Sequence, residues 1–134
     1  MPKVKDMLDT YPRTFNVDAD LLATTIEALV ECANTCSQCA DACLAESDVT
    51  KLAKCIRLNL DCADLCLVTS RSLSRQTEYD ANLTRPLLQA CAAACKSCGD
   101  ECVEHSEHMD HCRICAESCR RCEQACLQLL DAVS

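Results

Sequence analysis

The stretch CANTCSQCADAC, residues 32 to 43, places cysteines at i, i+4, i+7 and i+11, and CAAACKSCGDEC, residues 91 to 102, repeats the pattern C-x3-C-x2-C-x3-C. At about 100° per residue, those positions fall within a stripe roughly 60° wide on one face of an α-helix. Such a stripe ordinarily carries Leu, Ile and Val and turns into a core. Here Cys32, Cys36, Cys39 and Cys43, and again Cys91, Cys95, Cys98 and Cys102, put thiols there. The spacing predicts helices whose buried face is sulfur.

The rest of the chain agrees with helix. Among 134 residues there are one Gly, three Pro and 16 Cys, with Tyr and Phe contributing only three aromatic rings. That composition argues against sheets and loop-rich scaffolds, and the length suits one domain with a genuine core. A formal charge of −8 disfavours nucleic acid and anionic membranes as partners, and mainly provides solubility.

Sixteen cysteines usually suggest a secreted disulfide scaffold. The opening MPKVKDMLDTYPRTFNVDAD scatters charges and has no apolar run, so no signal peptide is expected, nor does any segment read as a membrane span. The expected compartment is the reducing cytoplasm. Helical neighbours at i,i+3 and i,i+4 also keep their Cβ atoms about 5–6 Å apart, whereas a disulfide needs about 3.5–4.5 Å. Bridges within one stripe would distort the helix.

Four cysteine-bearing segments follow. The first runs from about Ala19 to Ala45 behind Asp18 as N-cap; the second follows Ser47 or Asp48 and carries Cys55, Cys62 and Cys66. The third is expected to begin near Thr84, with Pro86 in its first turn, and the fourth carries Cys112, Cys115, Cys119, Cys122 and Cys126. A shift of 59 residues superimposes the first quartet on the third, and a shift of 60 places Cys55, Cys62 and Cys66 on Cys115, Cys122 and Cys126. Asn59 stands where the other copy has Cys119. A hairpin used twice, with short connections, predicts an all-α, antiparallel up-down-up-down four-helix bundle over residues 19–134. Residues 1–18 form an N-terminal extension, expected as a short helix on the bundle or on a neighbouring subunit.

In that arrangement Leu22, Ile26, Leu29, Leu73, Leu87 and Leu130 continue the stripes and meet as an aliphatic plug at one end. The opposite end holds Cys43, Cys102, the AESD turn and VEHSEHMDH, with His105, His108, His111 and Met109. Three histidines in one acidic connection suit a solvated loop, but beside Cys102 and Cys112 they also suit a loading site for a soft metal. Met7 reads as packing or tail.

A few buried cysteines would be ordinary small hydrophobes. Sixteen of them, displacing Leu and Val, would leave a thin and oxidisable core. Thiolates select Cu(I), Zn(II) or iron–sulfur clusters. Cuprous ions at about one per cysteine would neutralise the thiolates, whereas zinc in four-cysteine sites leaves each at about −2. Continuous stripes with a single glycine also differ from the turns and loops that usually hold zinc or iron–sulfur clusters. Copper is favoured, while zinc, another soft metal, or a thiol or iron–sulfur redox protein remain alternatives.

KCIRLNLDCADLC (54 to 66) and HMDHCRICAESCRRCEQAC (108 to 126), together with the two C-x3-C-x2-C-x3-C helices, resemble the bacterial copper storage proteins over roughly residues 22 to 131. The resemblance implies a four-helix bundle that stores many Cu(I) ions on core cysteines, commonly as a homotetramer, and the histidine-bearing end looks like the cytosolic branch. It implies Cys32, Cys36, Cys39, Cys43, Cys55, Cys62, Cys66, Cys91, Cys95, Cys98, Cys102, Cys112, Cys115, Cys119, Cys122 and Cys126 as ligands, with His105, His108 and His111 at the mouth, where Met109 joins them by its place in the same connection. The expected function is non-enzymatic Cu(I) sequestration, with a copper chaperone or low-molecular-weight thiol as donor or acceptor.

Overall fold

Asp18 opens the first long helix by accepting hydrogen bonds from the backbone N–H groups of Asp20 (2.7 Å) and Leu21 (3.1 Å). This satisfies donors that a helix start otherwise leaves unpaired. In the computed structural model, which describes residues 1–133, the chain is all-helical, with no strand among the described residues. The helices are α1 (Pro2–Asp9), α2 (Ala19–Leu44), α3 (Ala53–Leu73), α4 (Ala81–His105) and α5 (Asp110–Ala132).

Two starts differ from the sequence expectation. A 3₁₀ turn, Val49–Leu52, precedes α3, and Asp48 makes no side-chain cap bond; instead its carbonyl accepts from Lys51 N (3.3 Å) and its carboxylate pairs with the Lys51 ammonium. Helix α4 begins at Ala81 rather than near Thr84, so Pro86 sits in the second turn, inside the helix. The Asp80 side chain accepts from Asn82 N (2.9 Å), and its carbonyl accepts from Leu83 N and Thr84 N (both 3.0 Å). That cap holds the turn ahead of the proline, whose missing N–H forfeits one ladder bond.

The four long helices pack in a ring, α2 against α3 and α5, and α4 against α3 and α5. Across each diagonal the backbones stay apart and only side chains meet. Every cysteine stripe faces this axis, and all sixteen cysteines are buried and unbridged. Helix α1 lies on α2, with Leu8 buried and Lys5 reaching Asp20 at 2.8 Å.

The aliphatic end closes with Leu22, Ile26, Leu29, Leu73, Leu88 and Leu129 buried. Leu87 and Leu130 are only partly buried, correcting their place in the plug. The stripes continue by three residues there, from Cys91 back to Leu88 and from Cys126 on to Leu129, where the expectation used four. Val17, Leu22, Leu73, Tyr79, Leu129 and Val133 gather round one small cavity, bringing all these helix ends together.

Candidate metal centre

Helical periodicity points each stripe inward, and the ring of helices converts four stripes into one column of sulfur. Cys66 shows how dense it is: its Sγ lies 3.6 Å from Cys91, and 3.8 Å from each of Cys62, Cys95 and Cys122. Further along, Cys36 lies 3.6 Å from Cys119 and 3.7 Å from both Cys32 and Cys115.

Sulfurs gather in groups whose ligand atoms all lie within 4.8 Å of one another. One holds Cys32, Cys66, Cys95 and Cys122; the next holds Cys32, Cys36, Cys62 and Cys119; a third holds Cys36, Cys98, Cys115 and Cys119. Two more comprise Cys39, Cys55 and Cys102, and Cys39, Cys43, Cys112 and His111. The groups overlap, since Cys32, Cys36, Cys39 and Cys119 each belong to at least two. Shared sulfurs suit bridging between neighbouring ions better than isolated closed sites. Cys91 and Cys126 continue the column toward the plug.

Asn59 interrupts the sulfur on α3 with a fully buried amide. Its Nδ2 donates to Cys55 O (2.8 Å) and approaches Cys55 Sγ (3.3 Å), while its Oδ1 accepts from Cys115 (2.9 Å) and Cys98 (3.2 Å). The side chain is thus saturated by the groups around it, as a buried amide must be.

Among the described residues, the buried polar and charged ones are Thr25, Asn59, Thr69, Ser70, Thr84 and Ser118, with no Lys or Arg among them. Arg120 and Arg121 instead pair outside the core, with Asp100 at 2.6 Å and Glu31 at 2.7 Å. Several thiolates together in this column would therefore lack a buried cationic side chain, and bound metal is the available compensation.

His111 is the histidine that reaches sulfur. Its Nδ1 lies 3.4 Å from Cys39 and 3.6 Å from Cys112, and its Nε2 lies 3.3 Å from Glu46 Oε1. Burial opposes charge on the imidazole, but the bonds to Cys39 and Glu46 outweigh it and raise its pKa. Cys39 moves down to about 6: Cys102 pushes it up, while hydrogen bonds from Cys115, Cys55 and His111 prevail. Burial pushes Cys43 up to about 11 and raises Cys112 as well.

The remaining mouth residues are placed differently. His105 bonds Glu101 through Nε2 (3.0 Å), and Lys54 also approaches that carboxylate (3.8 Å). His105 and Met109 share a groove at the bundle end with Glu46 and Asp48, whereas His108 is exposed. Sequence reasoning missed Glu46 as the partner of His111; its position in the AESD turn beside Cys43 was the available signal.

A family model described as copper storage protein matches residues 18–131. No curated protein sequence matches the chain. A structure of the copper storage protein Ccsp from Streptomyces lividans, loaded with 10 copper equivalents, is 54% identical, covers 96% of this chain and 98% of its own, and superimposes with a TM-score of 0.94. A histidine-to-alanine variant of Ccsp is likewise 54% identical, covering 89% of this chain and 99% of its own at a TM-score of 0.87. A third structure, described as copper loading to a cytosolic copper storage protein from the same organism with five coppers, is 55% identical, covering 84% and 93% at a TM-score of 0.82.

Proposed function

The chain belongs to the copper storage protein family, and on that premise we propose that it is a cytosolic store that holds many Cu(I) ions, about one per cysteine, on core thiolates. The observation that carries this reading is the overlap of the sulfur groups in a core without a buried cationic side chain. Each cuprous ion cancels one thiolate charge, and a sulfur shared by two groups can bridge two ions. The sixteen cysteines are the ligands, His111 joins the outermost group, and His105, His108 and Met109 serve the mouth. Each thiol releases its proton as metal binds. The protein turns over no substrate.

The bundle is an antiparallel, up-down-up-down four-helix bundle with an N-terminal extension over residues 1–18. Contacts between helices support this by running in reverse order: Cys39 with Cys112 and Cys32 with Cys119 between α2 and α5, then Cys66 with Cys91 and Cys62 with Cys95 between α3 and α4. The protein self-associates, as a homotetramer if it follows the family resemblance, and exposed Leu60, Leu67 and Val68 on α3 supply apolar surface for it. A copper chaperone or small thiol brings and retrieves the cargo.

One observation favours a second reading. Sulfurs 3.6–3.9 Å apart also match the edge of a tetrahedron around zinc, about 3.8 Å for Zn–S bonds of about 2.3 Å. Anaerobic titration of the reduced protein with Cu(I) against a chromogenic competitor, with Zn(II) in parallel, separates the two. Uptake near one copper per cysteine, with weak zinc binding, is expected. Saturation at about four metals, or preference for zinc, overturns the copper reading.

A further inference from the structure

Three of the four cysteine stripes pass from sulfur straight to leucine at the closed end of the bundle. On α2 the residue three before Cys32 is Leu29, on α4 the residue three before Cys91 is Leu88, and on α5 the residue three after Cys126 is Leu129. All three leucines are buried. On α3 the residue three after Cys66 is Thr69, and leucine returns only at Leu73. Thr69 is fully buried, and its Oγ1 has no hydrogen-bond partner among the described residues.

A helical threonine ordinarily settles its hydroxyl on the carbonyl four residues back. Thr25 does so at Leu21 O (2.8 Å) and Thr84 at Asp80 O (3.1 Å), whereas Thr69 leaves Leu65 O unused. The sulfur beside it on α3 is that of Cys66, because residues three apart on a helix are neighbours, with Cβ atoms about 5–6 Å apart. Cys66 Sγ in turn lies 3.6 Å from Cys91. The corresponding positions of the other three stripes are leucine, so sulfur is the polar direction open to the hydroxyl along the axis.

We propose that Thr69 is a positioning residue for the innermost copper, its hydroxyl donating a hydrogen bond to a copper-bound thiolate at the Cys66–Cys91 end of the column. This rests on the copper-store reading and adds to it a group that never touches the metal. In the metal-free protein these sulfurs are thiols, which are weak acceptors. Copper takes the place of the thiol proton, which leaves, and the sulfur that remains carries negative charge and accepts more strongly. The hydroxyl keeps its own proton, and its oxygen forms no bond to the soft ion. A group that is unpaired in the empty store is thus paired in the full one, and the difference favours binding at the closed end.

The test saturates the full-length reduced protein with Cu(I) under anaerobic conditions and withdraws the metal with a chromogenic chelator, bathocuproine disulfonate. Thr69→Val keeps the shape without the hydroxyl, and Thr69→Ser keeps the hydroxyl. Thr69→Val is expected to hold about one or two ions per chain about tenfold more weakly than the parent, while Thr69→Ser matches the parent. Urea denaturation of the metal-free proteins supplies the readout that separates this from a packing defect, since Thr69→Val is expected to be no less stable there. Parent-strength retention in Thr69→Val, or equal weakening in Thr69→Ser, overturns the inference. So does weakened retention that comes with lost stability of metal-free Thr69→Val. Failure of the store reading looks different, because the parent protein itself would then not approach one copper per cysteine.

Discussion

Cys115 donates its thiol proton to Asn59 Oδ1 across 2.9 Å, in a core where every neighbouring side chain on the axis is sulfur. The second hairpin places Cys119 at the corresponding position, so the two halves of the duplication differ at the centre of the column. The amide supplies what sulfur cannot: one strong acceptor for two thiols and one strong donor toward Cys55.

Asn59→Leu keeps the volume and removes both functions. In the reduced, metal-free protein it is expected to cost about 1–3 kcal/mol, because Cys98 and Cys115 lose their acceptor inside an apolar environment. Urea denaturation under anaerobic reductant measures it. Unchanged stability would mean that the thiols re-pair among themselves. Asn59→Cys, which restores the repeat, is expected to raise copper capacity by about one ion per chain.

The Cys39–His111 contact has a pH signature. Cys39 is drawn from 9.0 to about 6, with Cys102 opposing the shift and Cys115, Cys55 and His111 driving it. Its folded pKa is depressed, so its ionisation contributes stability in full above pH 9 and loses it as pH falls through about 6. His111 has the opposite sign: its raised pKa contributes below 6.5 and is lost as pH rises through the raised value. Thiolate ultraviolet absorbance of the metal-free protein is expected to show a step near pH 6, absent in Cys39→Ser and moved upward in His111→Ala. A step that stays in place in His111→Ala would show that the imidazole does not hold the thiolate.

Gly99 is the only glycine, and on α4 it faces Cys119 and the Arg120 guanidinium of α5. A Cβ there would stand 3.0 Å from Arg120 Nη1 and 3.3 Å from Cys119 Cβ. The arginine tip can swing away, while the Cys119 Cβ is fixed by its helix. Gly99→Ala is therefore expected to stay within about 1 kcal/mol of the parent, since relief of the helix penalty of glycine offsets the crowding. Gly99→Val, which branches toward Cys119, is expected to lose about 1–3 kcal/mol in the same denaturation assay.

Much of this architecture is legible in the residues. The 4–3–4 cysteine intervals, the shifts of 59 and 60, and Asp18 ahead of an apolar period each depend on local chemistry, and each survives folding. What escapes depends on tertiary context. Whether Leu87 or Leu88 closes the plug turns on a few tens of degrees of stripe drift, which only packing against neighbouring helices decides. The start of α4 turns on Asp80, whose cap outweighs the proline placed in the second turn. Glu46 meets His111 from 65 residues away, a separation that no local pattern records.

Thr69 offers the last test, because it breaks a rule that the rest of the core obeys. It is 0% exposed, and its Oγ1 has no hydrogen-bond partner among the described residues. Thr25, equally buried, returns its hydroxyl to Leu21 O at 2.8 Å. The duplication places Leu129 at the position matching Thr69, so the second hairpin fills the same layer of the plug with hydrocarbon. An unpaired buried hydroxyl costs free energy that a methyl group of similar size does not. Thr69→Val is expected to stabilise the reduced, metal-free protein by about 1 kcal/mol, while Thr25→Val, which gives up a formed bond, brings no gain. Loss of stability in Thr69→Val would reveal a partner for the hydroxyl, and would place a polar contact inside the end of the bundle that otherwise closes with leucine.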